Sequence, residues 1–104
     1  MSKYRQYEHE VIKNKDGVII FDAIDSELRE ANLTNADLKG RNLRYKRMHK
    51  VNLSHADLRN ADLSYASMRL ANLRFADLRG ANLKGADLRG ADLSFAKTDE
   101  VNDD

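Results

Sequence analysis

The chain has 104 residues, contains neither cysteine nor proline, and carries a formal net charge of only +1. This length fits one domain, and the lack of cysteine excludes a disulfide framework and thiolate chemistry. No apolar run reaches membrane length and the first residues lack a signal-peptide core, so we expect a cytoplasmic protein without membrane contact.

The small net charge hides an uneven distribution along the chain. Residues 1–25 carry four basic and five acidic groups, residues 26–98 carry fourteen basic and eight acidic groups, and residues 99–104 carry four acidic groups. The three segments therefore have net charges of −1, +6 and −4. We expect a basic body followed by an acidic tail, and a basic surface attracts acidic partners.

The first segment, residues 1–25, does not repeat and has the pattern of a β-hairpin. Residues 9–12, which end in Val11 and Ile12, lead into the short stretch from Asn14 to Gly17, and the apolar run at residues 18–21 leads out of it. Asn and Asp favour a tight turn, and Gly17 can supply the positive φ that closes it. We therefore predict two antiparallel strands joined by this turn.

The second segment, residues 26–98, is organised in blocks of five residues. Fourteen blocks run from Ala31 to Glu100, with alanine at the first position in eleven and leucine at the third position in eleven. An α-helix would spread leucines five apart around its axis, and a flat strand would send them to alternate faces. Alanine and leucine of one block are two residues apart, so both can face inward from a short extended piece. Repeated corners would then wind the chain into a coil filled by these residues.

These blocks closely resemble the pentapeptide-repeat family over most of the chain. The resemblance implies an all-β fold, a right-handed quadrilateral β-helix with four blocks per coil, which gives about 3.5 coils here. It also implies that leucine and alanine point inward and that the Asn or Asp between them faces outward. The ends of a solenoid need covering, so we expect residues 1–25 to be a hairpin that caps the first coil. Clear blocks include Ala56-Asp57-Leu58, Ala61-Asp62-Leu63 and Ala71-Asn72-Leu73.

Several residues recur at a spacing of twenty, as a coil of four blocks would require. Tyr45 and Tyr65 are twenty apart, as are Phe75 and Phe95, which should face outward. The same spacing would stack cations in two columns and produce either a solvated surface or a surface for an acidic partner. The columns are Lys39, Arg59 and Arg79, and Arg29, His49, Arg69 and Arg89.

The repeat is interrupted at Arg41 and Lys46, where cations replace the inward alanine. A narrow leucine core cannot hold an isolated charge, so we expect the backbone to change there, as a bulge or as a loop. Unbroken phase on both sides favours the bulge, which would project a cationic corner toward an acidic surface of a partner. The alternative is a tolerated bulge shielded by the hairpin. The predicted partner-binding residues are Arg41, Arg44, Tyr45, Lys46, Arg47, Lys50 and Tyr65.

The third segment, residues 99–104, is an acidic tail that leaves the last coil without an obvious cover. We expect this apolar end to form a homodimer packed end to end, because exposed apolar surface and open strand edges favour association. The alternative is that the tail folds over the end of the coil. The predicted dimer residues are Leu83, Leu88, Leu93 and Phe95.

No set of residues indicates catalysis, a cofactor or a metal. The aspartates recur with the corners, and no Ser, His and Asp are marked as a mutually placed group. His49 and His55 lack cysteine partners and a familiar ligand spacing. We therefore expect no catalytic residues, no cofactor and no metal site, and a protein that is not an enzyme.

Two functions remain at this point. The first is a non-enzymatic protein-interaction module of bacterial or phage type, with a basic solenoid surface for an acidic partner protein. The alternative follows from the resemblance, since some pentapeptide-repeat proteins mimic DNA and regulate type II topoisomerases such as DNA gyrase. Those mimics are generally acidic and longer, whereas residues 26–98 carry +6 here. Contact with nucleic acid is possible under this reading, but without sequence specificity, because no nucleic-acid-binding motif is present.

Overall fold

The computed structural model describes residues 9–24 and 28–99, and these ranges contain strands, isolated β-bridges and turns but no helix. Strand β1 is His9–Asn14, β2 is Ile19–Ile24 and β3 is Ala36–Asp37. They form one sheet in the order β2-β1-β3, and both pairs are antiparallel. The predicted boundary between residues 25 and 26, and the tail beyond Asp99, lie outside the described residues.

The predicted hairpin is present, and its turn is built by the residues that predicted it. The carboxamide oxygen of Asn14 accepts hydrogen bonds from the N–H groups of Asp16 and Val18, at 2.9 and 3.0 Å. Gly17 has a φ of +83°, a conformation that glycine adopts at little cost. These contacts turn β1 into β2 and leave the other edge of β1 available for β3.

From Leu28 onward the chain winds as a β-helix with a period of twenty residues. Parallel bridges join the second residue of each block to the residue twenty positions further on, as between Asn32 and Asn52. Beside each bridge, the third residue donates its N–H to the neighbouring coil, as from Leu33 to the C=O of Asn52 at 2.7 Å. Four blocks therefore make one coil, and the blocks align on four faces. The first, second, third and fourth faces begin at Ala31, Ala36, Arg41 and Lys46.

Most corners between two blocks are turns that the Asn or Asp of the second position organises. The N–H of Ala61, for example, donates to the C=O of Leu58 at 3.1 Å, which closes the turn. The side chain of Asp57 accepts the N–H of Arg59 at 3.1 Å, and Asn60, at the fifth position, has a φ of +59°. Asn and Asp recur at the second position because a short polar side chain can satisfy this N–H and so fix the corner.

The core is a stack of leucine and alanine side chains, with methionine or valine at some positions. Leu58 and Leu78 are 0 % and 2 % exposed, which confirms that these leucines point inward. Ile12 of β1 is fully buried in the same core, so this strand packs against the β-helix. Arg79 is exposed, whereas Arg59 is only partly exposed because its guanidinium group lies between two aspartates.

The prediction of a bulge or a loop at Arg41 and Lys46 was wrong. The chain there keeps the register of the other blocks, since Arg47 bridges Ser67 in parallel. The turn before Lys46 is closed by its N–H, which donates to the C=O of Leu43 at 3.2 Å. Both cations are therefore accommodated at the first position of a regular block.

Position within the β-helix explains why these cations need no change of the backbone. Arg41 and Lys46 belong to the first coil, near the hairpin, and their first positions are half-buried instead of fully buried. Arg41 donates from Nη2 to the C=O of Val11 in β1, at 3.0 Å. A charged donor at the rim can thus be satisfied by a carbonyl of the neighbouring strand, so the cost of burying an isolated charge does not arise.

Candidate functional site

The corner between the third and fourth faces carries an exposed pair of tyrosines, here called the tyrosine stack, Tyr45 and Tyr65. Their rings lie 5.2 Å apart at an interplanar angle of 10°, and they are 65 % and 42 % exposed. The guanidinium carbon of Arg44 lies 5.5 Å from the centre of the Tyr45 ring, and its Nε lies 3.7 Å from Asp62. The twenty-residue coil places equal positions above one another, so this corner presents a flat aromatic surface bordered by a cation.

Only some of the predicted partner-binding residues share this corner. Arg41 lies toward the hairpin, and Lys46 is half-buried at the first position of the fourth face. Arg47 belongs to the middle of the fourth face, and Lys50 lies at the next corner. The cationic run is therefore divided among two corners and the face between them, and it does not project as a single corner.

A second aromatic stack lies at the corner between the first and second faces. His55 and Phe75 stack at 4.8 Å, and Phe75 and Phe95 stack at 4.9 Å. The two phenylalanines are 46 % and 72 % exposed, which confirms that they face outward. Arg74 lies within 5.8 Å of both phenylalanine rings and 3.3 Å from Asp92. The spacing of twenty predicted the pair of phenylalanines, and the same spacing between His55 and Phe75 was missed.

The fourth face carries a shallow basic groove of about 270 Å³. Two of its lining residues, Arg47 and Ser67, stand where most blocks have Asn or Asp, and they bridge each other. The spacing of twenty predicted the column of cations on this face, whereas the departure at the second position was missed. The lining residues are Arg29, Arg47, His49, Ser67 and Arg69.

The second face shows how the repeat usually neutralises its cations. Asp57 lies 2.7 Å from Arg59, and Asp77 lies 2.6 Å from Arg79. Hydrogen bonds from the guanidinium groups lower the pKa of the Asp57 carboxyl and lower the pKa of Asp77 to about 2. An Asp at the second position and an Arg at the fourth therefore form an ion pair within one block, so this face carries alternating charges.

The other end of the β-helix is less covered than the end beside the hairpin. Leu83, Leu88 and Leu93 pack against the core but are only partly buried. The N–H of Gly80 donates to the carboxylate of Asp99 at 2.8 Å, in the place where inner coils use a backbone carbonyl. The structure thus brings together the predicted leucines at this end, whereas the tail beyond Asp99 lies outside the described residues.

The described residues include neither a metal cluster nor a membrane-spanning helix. No group of three or more His, Asp or Glu side chains there is placed to hold a metal ion. No helix in this part of the chain is long and apolar enough to cross a membrane. The surface features of the described residues are the two aromatic stacks, the basic groove and the partly covered end.

The proteins to which this chain is similar are pentapeptide repeat proteins. The sequence model of pentapeptide repeats matches residues 31–69 and 66–97, with eight copies of the repeat. Among solved structures, HetL from Nostoc sp. strain PCC 7120, a pentapeptide repeat protein involved in the regulation of heterocyst differentiation, is 40 % identical with a TM-score of 0.67. The match covers 69 % of this chain and 34 % of HetL, so the chain spans about a third of the length of that protein.

Two further structures are similar over a comparable part of the chain. Another pentapeptide repeat protein of Nostoc is 37 % identical over 74 % of each chain, with a TM-score of 0.46. QnrB1, a plasmid-mediated fluoroquinolone resistance protein, is 28 % identical over 72 % of this chain and 39 % of its own, with a TM-score of 0.40. A search of curated proteins found no match.

Proposed function

Because the chain belongs to the pentapeptide-repeat family, whose members fold as right-handed quadrilateral β-helices, we propose that it is a non-enzymatic protein-interaction module for an acidic partner. The observation that carries this proposal is the tyrosine stack with Arg44 beside it. Tyrosine and arginine are enriched among the residues that dominate interface energetics. The charge of +6 on residues 26–98 adds long-range attraction for an acidic surface.

The tyrosine stack is also held in place before any partner binds. The Tyr65 ring lies over Gly85, where an added Cβ would come within 2.5 Å of the ring, so glycine leaves the space that the ring occupies. Stacking on a hydrogen-bonded β-helix limits the rotamers of both rings, so little side-chain entropy is lost on binding. Arg44 retains 47 % exposure and can reach a carboxylate on a partner.

A pair of matched variants tests this proposal. Affinity capture from the native host would identify a partner, and its affinity would then be measured with purified proteins. The double variant Arg44→Gln with Tyr45→Ser should weaken binding by at least about tenfold, and added salt should weaken binding of the wild type. The control is Arg74→Gln with Phe75→Ser, which makes the same changes at the other aromatic stack. Equal binding by wild type and the Arg44 and Tyr45 variant would contradict the proposal.

The alternative function is regulation of a type II topoisomerase such as DNA gyrase, by DNA mimicry or by contact with nucleic acid. The cations of the fourth face and the charge of +6 oppose DNA mimicry, because a mimic must present negative charge. A gel shift with duplex DNA and a gyrase supercoiling assay test this alternative. If micromolar protein changes the supercoiling activity, regulation of a type II topoisomerase would replace the protein-interaction module as the proposed function.

We also propose that the hairpin caps a β-helix of about 3.5 coils. The pairing of β1 with β3, the buried side chain of Ile12 and the hydrogen bond from Arg41 to Val11 support this role. A cap supplies partners for the strand edge that the first coil would otherwise expose. The stability variants described below test it.

The opposite end is proposed to form a homodimer in which two copies pack end to end. Partly buried leucines and Phe95, which is 72 % exposed, support this packing because a two-fold contact buries the same apolar patch on both copies. Sedimentation should show a dimer whose dissociation depends on concentration, and Leu93→Glu should give a monomer. A wild-type monomer at high micromolar concentration would contradict the proposal. The proposed contact residues are Leu83, Leu88, Leu93 and Phe95.

A further inference from the structure

Side chains at the fifth position of the blocks lean toward the far end of the β-helix, which is formed by the last coil, residues 81–99. A Cβ added at Gly85 would lie 2.5 Å from the ring of Tyr65, and one at Gly90 would lie 2.6 Å from the side chain of Leu70. Each of these side chains therefore occupies the space beside the glycine of the next coil. These two corners of the last coil are thus filled by residues of the same chain.

Phe95, at the next corner of the last coil, differs from the two glycines. It is the outermost ring of the stack with Phe75 and His55, and it is 72 % exposed. The rings lie 4.8 and 4.9 Å apart, which matches the spacing of neighbouring strands, so each coil adds one ring to the stack. Within the described part of the chain, the ring contacts of Phe95 are with Phe75 and with Arg74, which lies beside both rings. The outer face of Phe95 therefore has room for one more ring at the same spacing.

A two-fold contact at the far end has one place where a ring of a second copy fits. Beside the two glycines no such space is left, because Tyr65 and Leu70 already lie there. A two-fold contact brings the same patch of both copies together, so the ring that meets Phe95 is the equivalent ring. We propose that Phe95 stacks on Phe95 of a second copy and that the two-fold axis passes through this corner. This register rests on the homodimer proposed above, and Phe95 is the residue that specifies it.

The position of the axis also determines where the tyrosine stacks lie in the dimer. Phe95 and Gly85 are ten residues apart, which is half of a coil, so they lie at diagonally opposite corners. A two-fold axis through one of these corners passes through the other, so Gly85 faces Gly85 of the second copy. Tyr65 lies one coil behind Gly85 at the same corner. Both tyrosine stacks therefore lie along one edge of the joined rod, and the continuous phenylalanine stack lies along the opposite edge.

Cysteine cross-linking tests this register directly, because the chain contains no cysteine of its own. Each variant is a full chain with one cysteine at an exposed residue just before a corner of the last coil, and it is treated with a short bismaleimide reagent. Lys84→Cys and Ser94→Cys should give covalent dimers, since both positions lie beside the axis. Arg89→Cys is the matched control and should not, because its two copies lie across the width of the rod. Ser94→Cys combined with Leu93→Glu measures cross-linking by random collision.

Substitutions of Phe95 test whether the ring specifies the contact. Phe95→Ser should raise the dissociation constant of the dimer in sedimentation by at least about tenfold, because it removes both the stacking and the apolar surface. Phe95→Tyr keeps a ring that can stack and should change this constant by less than about threefold. A dimer that Phe95→Ser leaves unchanged would overturn the proposal.

The failure of this register and the failure of the homodimer give different results. If wild type sediments as a dimer but only Arg89→Cys is cross-linked, the axis passes through the other pair of corners, and the register is overturned while the homodimer stands. Equal cross-linking of all three variants, at the level of random collision, would overturn the register as well. A wild type that sediments as a monomer at high micromolar concentration would remove the homodimer and this register together.

Discussion

The two ends of the β-helix are built from the same five-residue block but are covered differently. Beside the hairpin, Ile12 and Leu33 are fully buried, because β1 lies against the first coil. At the other end, Leu88 and Leu93 occupy equivalent positions in their blocks but are only partly buried. The repeat therefore determines which side chains point inward, whereas the neighbouring layer determines how much surface they bury.

This difference also explains what each end tolerates. Arg41 occupies an inward alanine position because the strand beside it offers the C=O of Val11. At the far end, the carboxylate of Asp99 accepts the N–H of Gly80 in place of a backbone carbonyl. At each end a side chain therefore satisfies a backbone group, a C=O of β1 at one end and the N–H of Gly80 at the other.

The largest expected effect concerns the core. Leu58→Ala in the middle and Ile12→Ala at the hairpin end should each lower the free energy of unfolding by about 2–5 kcal/mol, because both side chains are fully buried. Leu88→Ala should cost about half as much or less, since this side chain buries less surface. Urea unfolding followed by circular dichroism at low micromolar protein measures all three.

One result for Leu88→Ala would contradict the difference in burial between the two ends. If Leu88→Ala costs as much as Leu58→Ala, the far end is covered in solution. Repeating the measurement at higher protein concentration separates the two covers, because a second copy stabilises with concentration and a folded tail does not.

A smaller effect is expected for Arg41→Ala, which restores the alanine of the repeat. If the preference of the repeat for a buried alanine were the larger effect, Arg41→Ala would leave the free energy of unfolding unchanged or raise it. The hydrogen bond from Arg41 to Val11 predicts a loss of about 1–2 kcal/mol instead, together with faster amide exchange in β1. Lys46→Ala makes the same change one block later and serves as the control. A stabilised Arg41→Ala variant would contradict a role of this contact in holding the hairpin.

The parts of the fold that depend on local chemistry could be predicted from the sequence. Asn14 and Gly17 identified the turn of the hairpin, and the spacing of leucine and alanine identified the core. The prediction of a bulge at Arg41 was wrong because it assumed that the charged group would be buried in the core without a partner. The nearby carbonyl of Val11 belongs to another element, so local reasoning could not supply it.

The candidate sites were predicted only where the twenty-residue spacing was used. Tyr45 and Tyr65 were paired in this way and do stack. The cationic run was instead grouped by closeness in sequence, although a corner separates Arg44 from Arg47. Arg69, twenty-two residues from Arg47, lines the same groove. In a solenoid, residues about one coil apart are better candidates for a shared site than residues a few positions apart.

A modest effect is expected at the far end from Asp99→Ala. The variant removes the acceptor of the Gly80 N–H, and loss of such a bond costs about 0.5–1.5 kcal/mol. Amide exchange at Gly80 should become faster, while exchange at Asn60, whose N–H is bound to the C=O of Arg79 one coil away, should not change. Asp99→Asn keeps an acceptor oxygen and should preserve protection at Gly80. Unchanged exchange in the alanine variant would show that this contact does not complete the end.

The smallest expected effect is a loss of stability in acid from the ion pairs near the far end. Hydrogen bonds from Arg89 lower the pKa of Asp87 to about 2, from an ordinary value of 3.8. Because the folded pKa is the lower one, the stabilisation is complete above about pH 4 and is lost as the pH falls toward 2. The pair is exposed, so its contribution is small and is reduced further by salt.

Carbonyl-carbon NMR titration measures this shift directly. In Arg89→Gln the pKa of Asp87 should move up toward 3.8, while the pKa of Asp77, which Arg79 holds at about 2 on the second face, should stay low. Asp77 bridges Lys97 of the last coil, so it does not lie at the end of the β-helix. Its pKa therefore serves as an internal reference for a corner that is covered by a further coil. If the pKa of Asp87 is already near 3.8 in wild type while that of Asp77 is low, the ion pair opens in solution. The corner at Asp87 would then be less ordered as well as less covered, because the Asp87 carboxylate accepts the N–H of Arg89 there.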